Sequence, residues 1–137
     1  MKKMIIVMRT DLNMRCGKQI IQGAHCAVNV ILQQGEILSH NNEMGIFIPL
    51  TADLTEWLNG DTFELFNGKY TKITVGVNSE DEIIDLCRQA DFASINYKIT
   101  TDLGLTEFHG IPTITSCAIG PADVDEIDKI TGHLKLL

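Results

Sequence analysis

Hydrophobic and polar positions fall in blocks along this chain, and the blocks predict alternating strands and helices. Met4-Ile5-Ile6-Val7-Met8 is a continuous apolar run between polar residues, the pattern of a central strand buried on both faces. A polar connection over 10–16 follows. The spacing then turns helical from Gly17 to about Gln33, with Ile20, Ala24, Ala27, Val28 and Ile31 as its apolar stripe. Lys18, Gln22 and His25 stand at i, i+4 and i+7 and share a different face.

Residues 35–70 are less regular. Ile46-Phe47-Ile48-Pro49-Leu50 is apolar, but its proline argues against a central strand. Residues 51–58 read as a short helix ended by Asn59-Gly60, and Asn67-Gly68 marks a turn. Phe63, Leu65 and Phe66 read as a short edge strand or a flap.

Regular patterning then resumes. Lys72–Val77 predicts a second strand, and Ser79 with Glu82 a capping box opening a helix buried through Ile83, Ile84, Leu86 and Cys87. Residues 95–100 predict a third strand running directly into Asp102, and residues 113–119 a fourth, closed by Gly120-Pro121. A last helix starts at Pro121 or Ala122, with acidic residues near its positive end and Val124, Ile127 and Ile130 inward. Residues 131–137 form a tail packed by its leucines. The order predicts one α/β domain with a small mixed sheet covered by helices.

Composition narrows the classes. A chain of 137 residues, 45% hydrophobic, suits a single core. No apolar run approaches the ~20 residues of a membrane span. Arg9 and Asp11 cut short the first apolar run, which therefore reads as a strand and not as a leader. The expectation is a cytoplasmic protein without membrane contact. Cys16, Cys26, Cys87 and Cys117 show no CxxC spacing, and the four histidines no metal-ligand spacing. Cys26 and Cys87 read as core residues. Cys16, beside Arg15 and Lys18, lacks an obvious paired base.

The net charge of −7 argues against a broadly basic nucleic-acid surface. Charge is uneven, however. Lys2, Lys3, Arg9, Arg15 and Lys18 face only Asp11 within residues 1–35, so a local phosphate-attracting patch is compatible with the total.

Two segments carry the candidate chemistry. Residues 13–25 hold Lys18, Gln22 and His25; residues 101–107 hold Asp102 and Thr106. Each lies where a strand gives way to the next element. If they meet, a cation, a carboxylate and neutral donors can position a water and stabilise an oxyanion. Each residue has a plainer reading too: His25 as a hydrogen-bonded structural histidine, Asp102 and Thr106 as turn caps, Trp57 as core. Gly17-Lys18 is not a nucleotide-binding phosphate loop, because Leu12 replaces the upstream glycine and Gln19 the following hydroxyl residue.

Three blocks resemble the type 2 peptidyl-tRNA hydrolases of archaea and eukaryotes. They are Arg9-Thr10-Asp11-Leu12-Asn13-Met14 with Gly17-Lys18, Gln22 and Ala24-His25; then Asp102, Gly104 and Thr106; then Ala118-Ile119-Gly120-Pro121-Ala122 with Asp125 and the run from Ile127 to Leu136. The resemblance implies a single three-layer α/β/α domain over 1–137 with a four-stranded mixed sheet, residues 35–70 being atypical. It implies metal-free hydrolysis of the peptide–tRNA ester, with no cofactor. Lys18, Gln22, His25, Asp102 and Thr106 match the family's active-site residues, and Thr113 or Thr115 its further threonine. Arg9, Arg15 and His109 are candidate substrate contacts. The implied partner is the acceptor end of peptidyl-tRNA; a second copy, as a homodimer, is a further candidate partner that the sequence does not settle. Two usual cations are missing: Cys16 stands where the family has a lysine, and Leu105 where it has an arginine. A smaller acyl ester is therefore the alternative substrate. A non-catalytic interaction protein, presenting Phe47, Trp57, Phe63 and Phe66, is a third reading.

Overall fold

The computed structural model describes residues 1–59 and 67–137, and the opening apolar run is its central strand, β1 (Lys2–Arg9). The chain continues through α1 (Cys16–Leu32), β2 (Glu36–His40), β3 (Glu43–Phe47), α2 (Ala52–Asn59), β4 (Lys72–Val77) and α3 (Glu80–Phe92). It ends with β5 (Tyr97–Asp102), β6 (Thr113–Asp123), α4 (Val124–Thr131) and β7 (Lys135–Leu136). Strand order in the main sheet is β5–β6–β1–β4–β7; β1 and β4 are parallel and the other neighbours antiparallel. No helix among the described residues is long and apolar enough to cross a membrane.

β1 divides the core. Ile5 and Val7 pack with Ile83, Leu86, Ile127 and Ile130, whereas Met4 packs with Cys26, Val30, Leu54 and Trp57. Ile6 and Met8 meet Met14. Each such fully buried side chain contributes about 1.5–3 kcal/mol of transfer free energy. The cap of α3 forms at the expected residues: Ser79 Oγ accepts from Glu82 N at 3.2 Å, and the Glu82 carboxylate accepts from Asn78 N, one residue before the N-cap, at 2.6 Å. Trp57 is core, with its indole N–H donating to Thr71 O at 3.0 Å. Cys26 and Cys87 are buried as expected.

Several expectations need correction. The main sheet has five strands and not four, because the tail pairs with β4 through Val75–Leu136 and Gly76–Lys135. A two-residue strand with both residues exposed leaves almost no hydrophobic alternation to detect. Residues 36–47 form a separate two-stranded hairpin where irregular chain was expected, and Pro49 follows β3 without interrupting it. β5 lies two residues later than its apolar pattern suggested, and β6 runs through Gly120-Pro121 to Asp123. Phe47 is exposed, and the expectation for Phe63, Leu65 and Phe66 falls outside the described residues.

The stripe assigned to α1 is the largest correction. The buried row is Gln22, Cys26 and Val30. Of the predicted stripe, Ala27 and Ile31 are half-buried against the core, whereas Ile20, Ala24 and Val28 face outward. The inward row is less apolar, but it offers groups that the sheet can satisfy: Cys26 Sγ lies 3.2 Å from Thr100 Oγ1 and 3.0 Å from Ser116 Oγ.

Candidate active site

The two candidate segments meet. Lys18 lies in the first turn of α1, near the helix's positive end, where a cation is disfavoured and no acidic residue of the helix offsets it. The offset comes from β5. Lys18 Nζ donates to Asp102 Oδ1 at 2.7 Å, and both side chains are largely shielded from solvent. Lys18 Nζ also lies 3.4 Å from Thr106 Oγ1.

Asp102 is held from three directions. Gln22 Nε2 donates to Oδ1 at 3.2 Å, and the Gly104 backbone N–H donates to Oδ2 at 2.8 Å. The hydrogen bond from Lys18 is the main cause that holds this carboxyl below the ordinary aspartate pKa; burial opposes it, and Gly104 and Gln22 assist. The group is therefore a carboxylate at neutral pH. It is a good acceptor for orienting a water, and a weak base for removing a proton.

Behind it sits a buried threonine. Thr115 Oγ1 donates to Gln22 Oε1 at 2.7 Å, which turns the Gln22 amide so that its NH₂ faces Asp102. The sequence left Thr113 and Thr115 open, and the strand register separates them. Thr113 stands directly across from Asp102, with its hydroxyl donating to Ile111 O at 2.8 Å. Thr115 is one alternation further in and fully buried. Thr115→Val keeps shape but leaves Gln22 Oε1 unpaired. Stability in urea is expected to fall by about 1–3 kcal/mol, and turnover to fall with little change in KM; an unchanged kcat would show that Gln22 needs no such anchor.

These groups open onto a cavity of about 330 Å³ lined by Lys18, Gln22, His25, Thr101, Asp102, Leu103, Leu105 and Thr106. A larger cavity of about 710 Å³, lined by Gln33, Asp91 and residues 94–98, contains none of the expected site residues. The smaller one has the chemistry, and volume alone does not decide function.

A family model described as peptidyl-tRNA hydrolase PTH2 matches residues 2–137. The chain belongs to the PTH2 family. It is 39% identical to a peptidyl-tRNA hydrolase of Saccharolobus solfataricus over 137 residues, covering 100% of both chains. It is 38% identical to one of Methanocaldococcus jannaschii over 135 residues, covering 98% of this chain and 99% of the relative. A solved structure of a protein of unknown function from Agrobacterium tumefaciens shares the fold: TM-score 0.58 at 12% identity, covering 99% of this chain and 97% of that one.

The remaining expected residues of this PTH2 chain are dispersed. His25 is exposed on the cavity wall and makes no side-chain hydrogen bond among the described residues. Arg15 is exposed, with Nε donating to Glu107 Oε1 at 2.9 Å. Arg9 is largely committed inside the protein: Nε and Nη2 meet Asp11 at 3.0 and 2.6 Å, and Nη1 donates to Ile114 O at 2.9 Å. His109 is exposed at positive φ in the β5–β6 loop and does not line the cavity. Lys2 and Lys3 do not extend a cationic patch toward the cavity. They lie at the opposite end of β1 from Arg9, about 20 Å away at strand rise. Lys2 pairs with Asp53 at 2.9 Å and Lys3 with Asp128 at 2.5 Å. Cys16 lines a different, apolar cavity with Met8 and Ile20.

Sequence reasoning missed the loop that closes this side of the PTH2 site. Glu107 ties it to Arg15, and Phe108 packs against the Ile6–Met8–Met14 cluster with its ring 5.8 Å from Lys18 Nζ. Only a charge match at 92 residues' separation hinted at the first contact. Leu103 and Leu105 were visible as apolar residues beside Asp102, yet nothing in the spacing marked them as cavity walls.

Proposed function

We propose that this protein hydrolyses the ester joining peptide to tRNA in peptidyl-tRNA. The 2.7 Å pair between Lys18 and Asp102, at the base of a cavity in a PTH2 chain, carries the reading. Asp102 and Thr106 orient a water toward the ester carbonyl. As the water adds, Lys18 stabilises the charge developing on the carbonyl oxygen. The carbon–oxygen bond to the ribose then breaks, releasing the peptide acid, and the water's second proton restores the ribose hydroxyl. The depressed pKa of Asp102 favours orientation over complete proton abstraction. Gln22 holds the carboxylate, and exposed His25 contacts the acceptor end.

Substrate contacts outside the cavity fall to Arg15, His109 and Thr113. Arg9 and Thr115 support the site from within, because their polar atoms are already engaged by the protein. The reading includes a cytoplasmic protein acting as one domain over 1–137, with helices on both faces of the sheet. The division of the core across β1 supports that layering. It also includes a homodimer, supported by the exposed apolar hairpin.

Purified protein should release peptide from N-blocked aminoacyl-tRNA with chelator present, and cleave the matching ester lacking tRNA far more slowly. Equal turnover of both would favour the smaller-ester reading. That alternative has one specific support: Leu105, 81% exposed on the cavity rim, stands where the family resemblance expects a cation. Leu105→Arg should therefore lower KM for the tRNA substrate at low salt. It should steepen the salt dependence by about one further phosphate contact and leave the tRNA-free ester unaffected. A salt slope unchanged by the substitution would place the tRNA backbone away from this rim.

A further inference from the structure

Strand β5 is the long open edge of the main sheet; the other edge, β7, has only two residues. Just before β5, Asn96 O accepts from Gly120 N at 2.7 Å. Peptide groups alternate along a strand, so Asn96, Lys98 and Thr100 turn theirs toward β6, and Tyr97, Ile99 and Thr101 turn theirs outward. The register irregularity after Thr100 keeps this order, because its extra residue, Thr115, belongs to β6. Tyr97 O is already taken by the side-chain amide of Gln33. Ile99 and Thr101 have no outward backbone partner among the described residues.

This edge ends at Asp102, the last residue of β5. Helix α1 runs beside it in the opposite direction. Lys18, Gln22, His25, Asn29 and Gln33 stand at i, i+4, i+7, i+11 and i+15 and share one face. Lys18 and Gln22 bond Asp102 at one end of the lane, and Gln33 bonds Tyr97 O at the other. The lane joins the cavity of about 330 Å³ at Asp102 to the cavity of about 710 Å³ at Tyr97. Residues 19–35 contain no Asp, Glu, Lys or Arg, so this wall offers imidazole and amides and no cation for a phosphate. At the far end Asp91 and Lys98 contribute one charge of each sign.

We propose that the edge of β5 is the peptide subsite, where the residues preceding the scissile ester lie as an added strand parallel to β5. The inference rests on the proposed hydrolysis and names what the site reads in the peptide: extended backbone of any sequence. The direction follows from the chemistry. The scissile carbonyl is the peptide's last, and it must reach Lys18 and Asp102 at the C-terminal end of β5. The preceding residues then run back toward Tyr97, and the tRNA leaves past Lys18 and Arg15 at the positive end of α1. The carbonyls of Ile99 and Thr101 accept two peptide N–H groups, and their N–H groups donate to peptide carbonyls. Main-chain pairing is indifferent to side chains, which suits a substrate class that carries every sequence. Gln33, seated on Tyr97 O, ends the available edge, so the lane holds about four residues at strand rise.

The test uses the unaltered protein and N-acetylated alanyl-tRNA carrying one to six alanines. From one residue to four, kcat/KM is expected to rise about tenfold or more, and then to level off. Methylating one backbone nitrogen at a time in the four-residue substrate should cost about fivefold at two residues, with a tolerant residue between them. Asn29→Glu places the peptide on the chain. With helix content and one-residue turnover unchanged, it should raise kcat/KM about threefold for a peptide with Lys third from the ester, and lower it similarly for Glu there. Turnover that ignores length, methylation penalties without alternation, or an Asn29→Glu protein blind to peptide charge would each overturn the subsite and leave the hydrolase reading standing. No turnover of any of these tRNA esters would defeat that reading and take the subsite with it.

Discussion

Lys18→Ala and Asp102→Asn are each expected to lower kcat on blocked aminoacyl-tRNA by about 10²–10³-fold, with KM changing far less. The reason is geometric. The ammonium and the carboxylate are 2.7 Å apart, and each is placed by the other. Removing the cation takes away the charge that meets the oxyanion, and it frees the carboxylate to rotate about its remaining bonds to Gln22 and Gly104. Removing the carboxylate charge leaves the water without its acceptor and the lysine uncompensated beside a helix N-terminus. The double variant should cost little more than the worse single one, because the two act as a unit. Normal turnover in both single variants would remove the assigned roles.

The same pair sets a pH dependence. The native carboxyl of Asp102 titrates below its unfolded value, chiefly through Lys18. The stability it contributes is therefore present above the ordinary aspartate pKa and is lost only as pH falls through the lower native value. The acid limb of kcat should lie below the usual carboxylate range in the wild type. In Lys18→Ala, the residual activity should lose that protection and fall at higher pH. A pH–rate profile whose acid limb does not move would assign the limb to another group.

The second large effect is expected at Gly104. Its φ is +80°, and a Cβ there would overlap the Ile111 backbone. That backbone cannot yield cheaply, because Gly110 N donates to Gly104 O at 2.7 Å and closes the loop. Gly104→Ala should destabilise the protein by about 2–4 kcal/mol, from the left-handed conformation together with the overlap. It should also cost activity beyond the unfolded fraction, since the Gly104 N–H is the donor that holds Asp102 Oδ2 at 2.8 Å. Gly110 is the control. It has φ +76° in open space, so Gly110→Ala should cost only about 1–2 kcal/mol. Equal losses at the two glycines, measured by urea unfolding, would show that the loop relaxes around the added methyl.

The active-site residues were more legible than the packing around them. Lys18, Gln22 and His25 were read as one helical face, and all three line the cavity with Asp102 and Thr106. Their periodicity is local, so it survives without knowledge of the sheet. The apolar stripe of the same helix was right for Ala27 and Ile31 and wrong for Ile20, Ala24 and Val28, because hydropathy cannot register satisfied polar groups. Gln22 is 1% exposed, yet Asp102 and Thr115, 80 and 93 residues away, pair both ends of its amide. The hairpin escaped because all of its residues are exposed and its apolar residues are divided between the two faces, Ile37, Met44 and Ile46 on one and Leu38 and Phe47 on the other, so no single buried face marks the strands. Strand β7 escaped because two residues carry no period.

Local chemistry along the chain was enough to specify the central strand, the helix starts at Ser79 and near Gly17, and the identities of the cation and carboxylate, since each depends on neighbours within a few positions. Their meeting at 2.7 Å, the choice of Thr115 over Thr113 as Gln22's anchor, and the loss of Arg9, Lys2 and Lys3 to internal acids or carbonyls came from the folded arrangement. Those outcomes join residues far apart in sequence. Only strand order and register fix such distances, and charge pairing is decided by distance before it is decided by residue type.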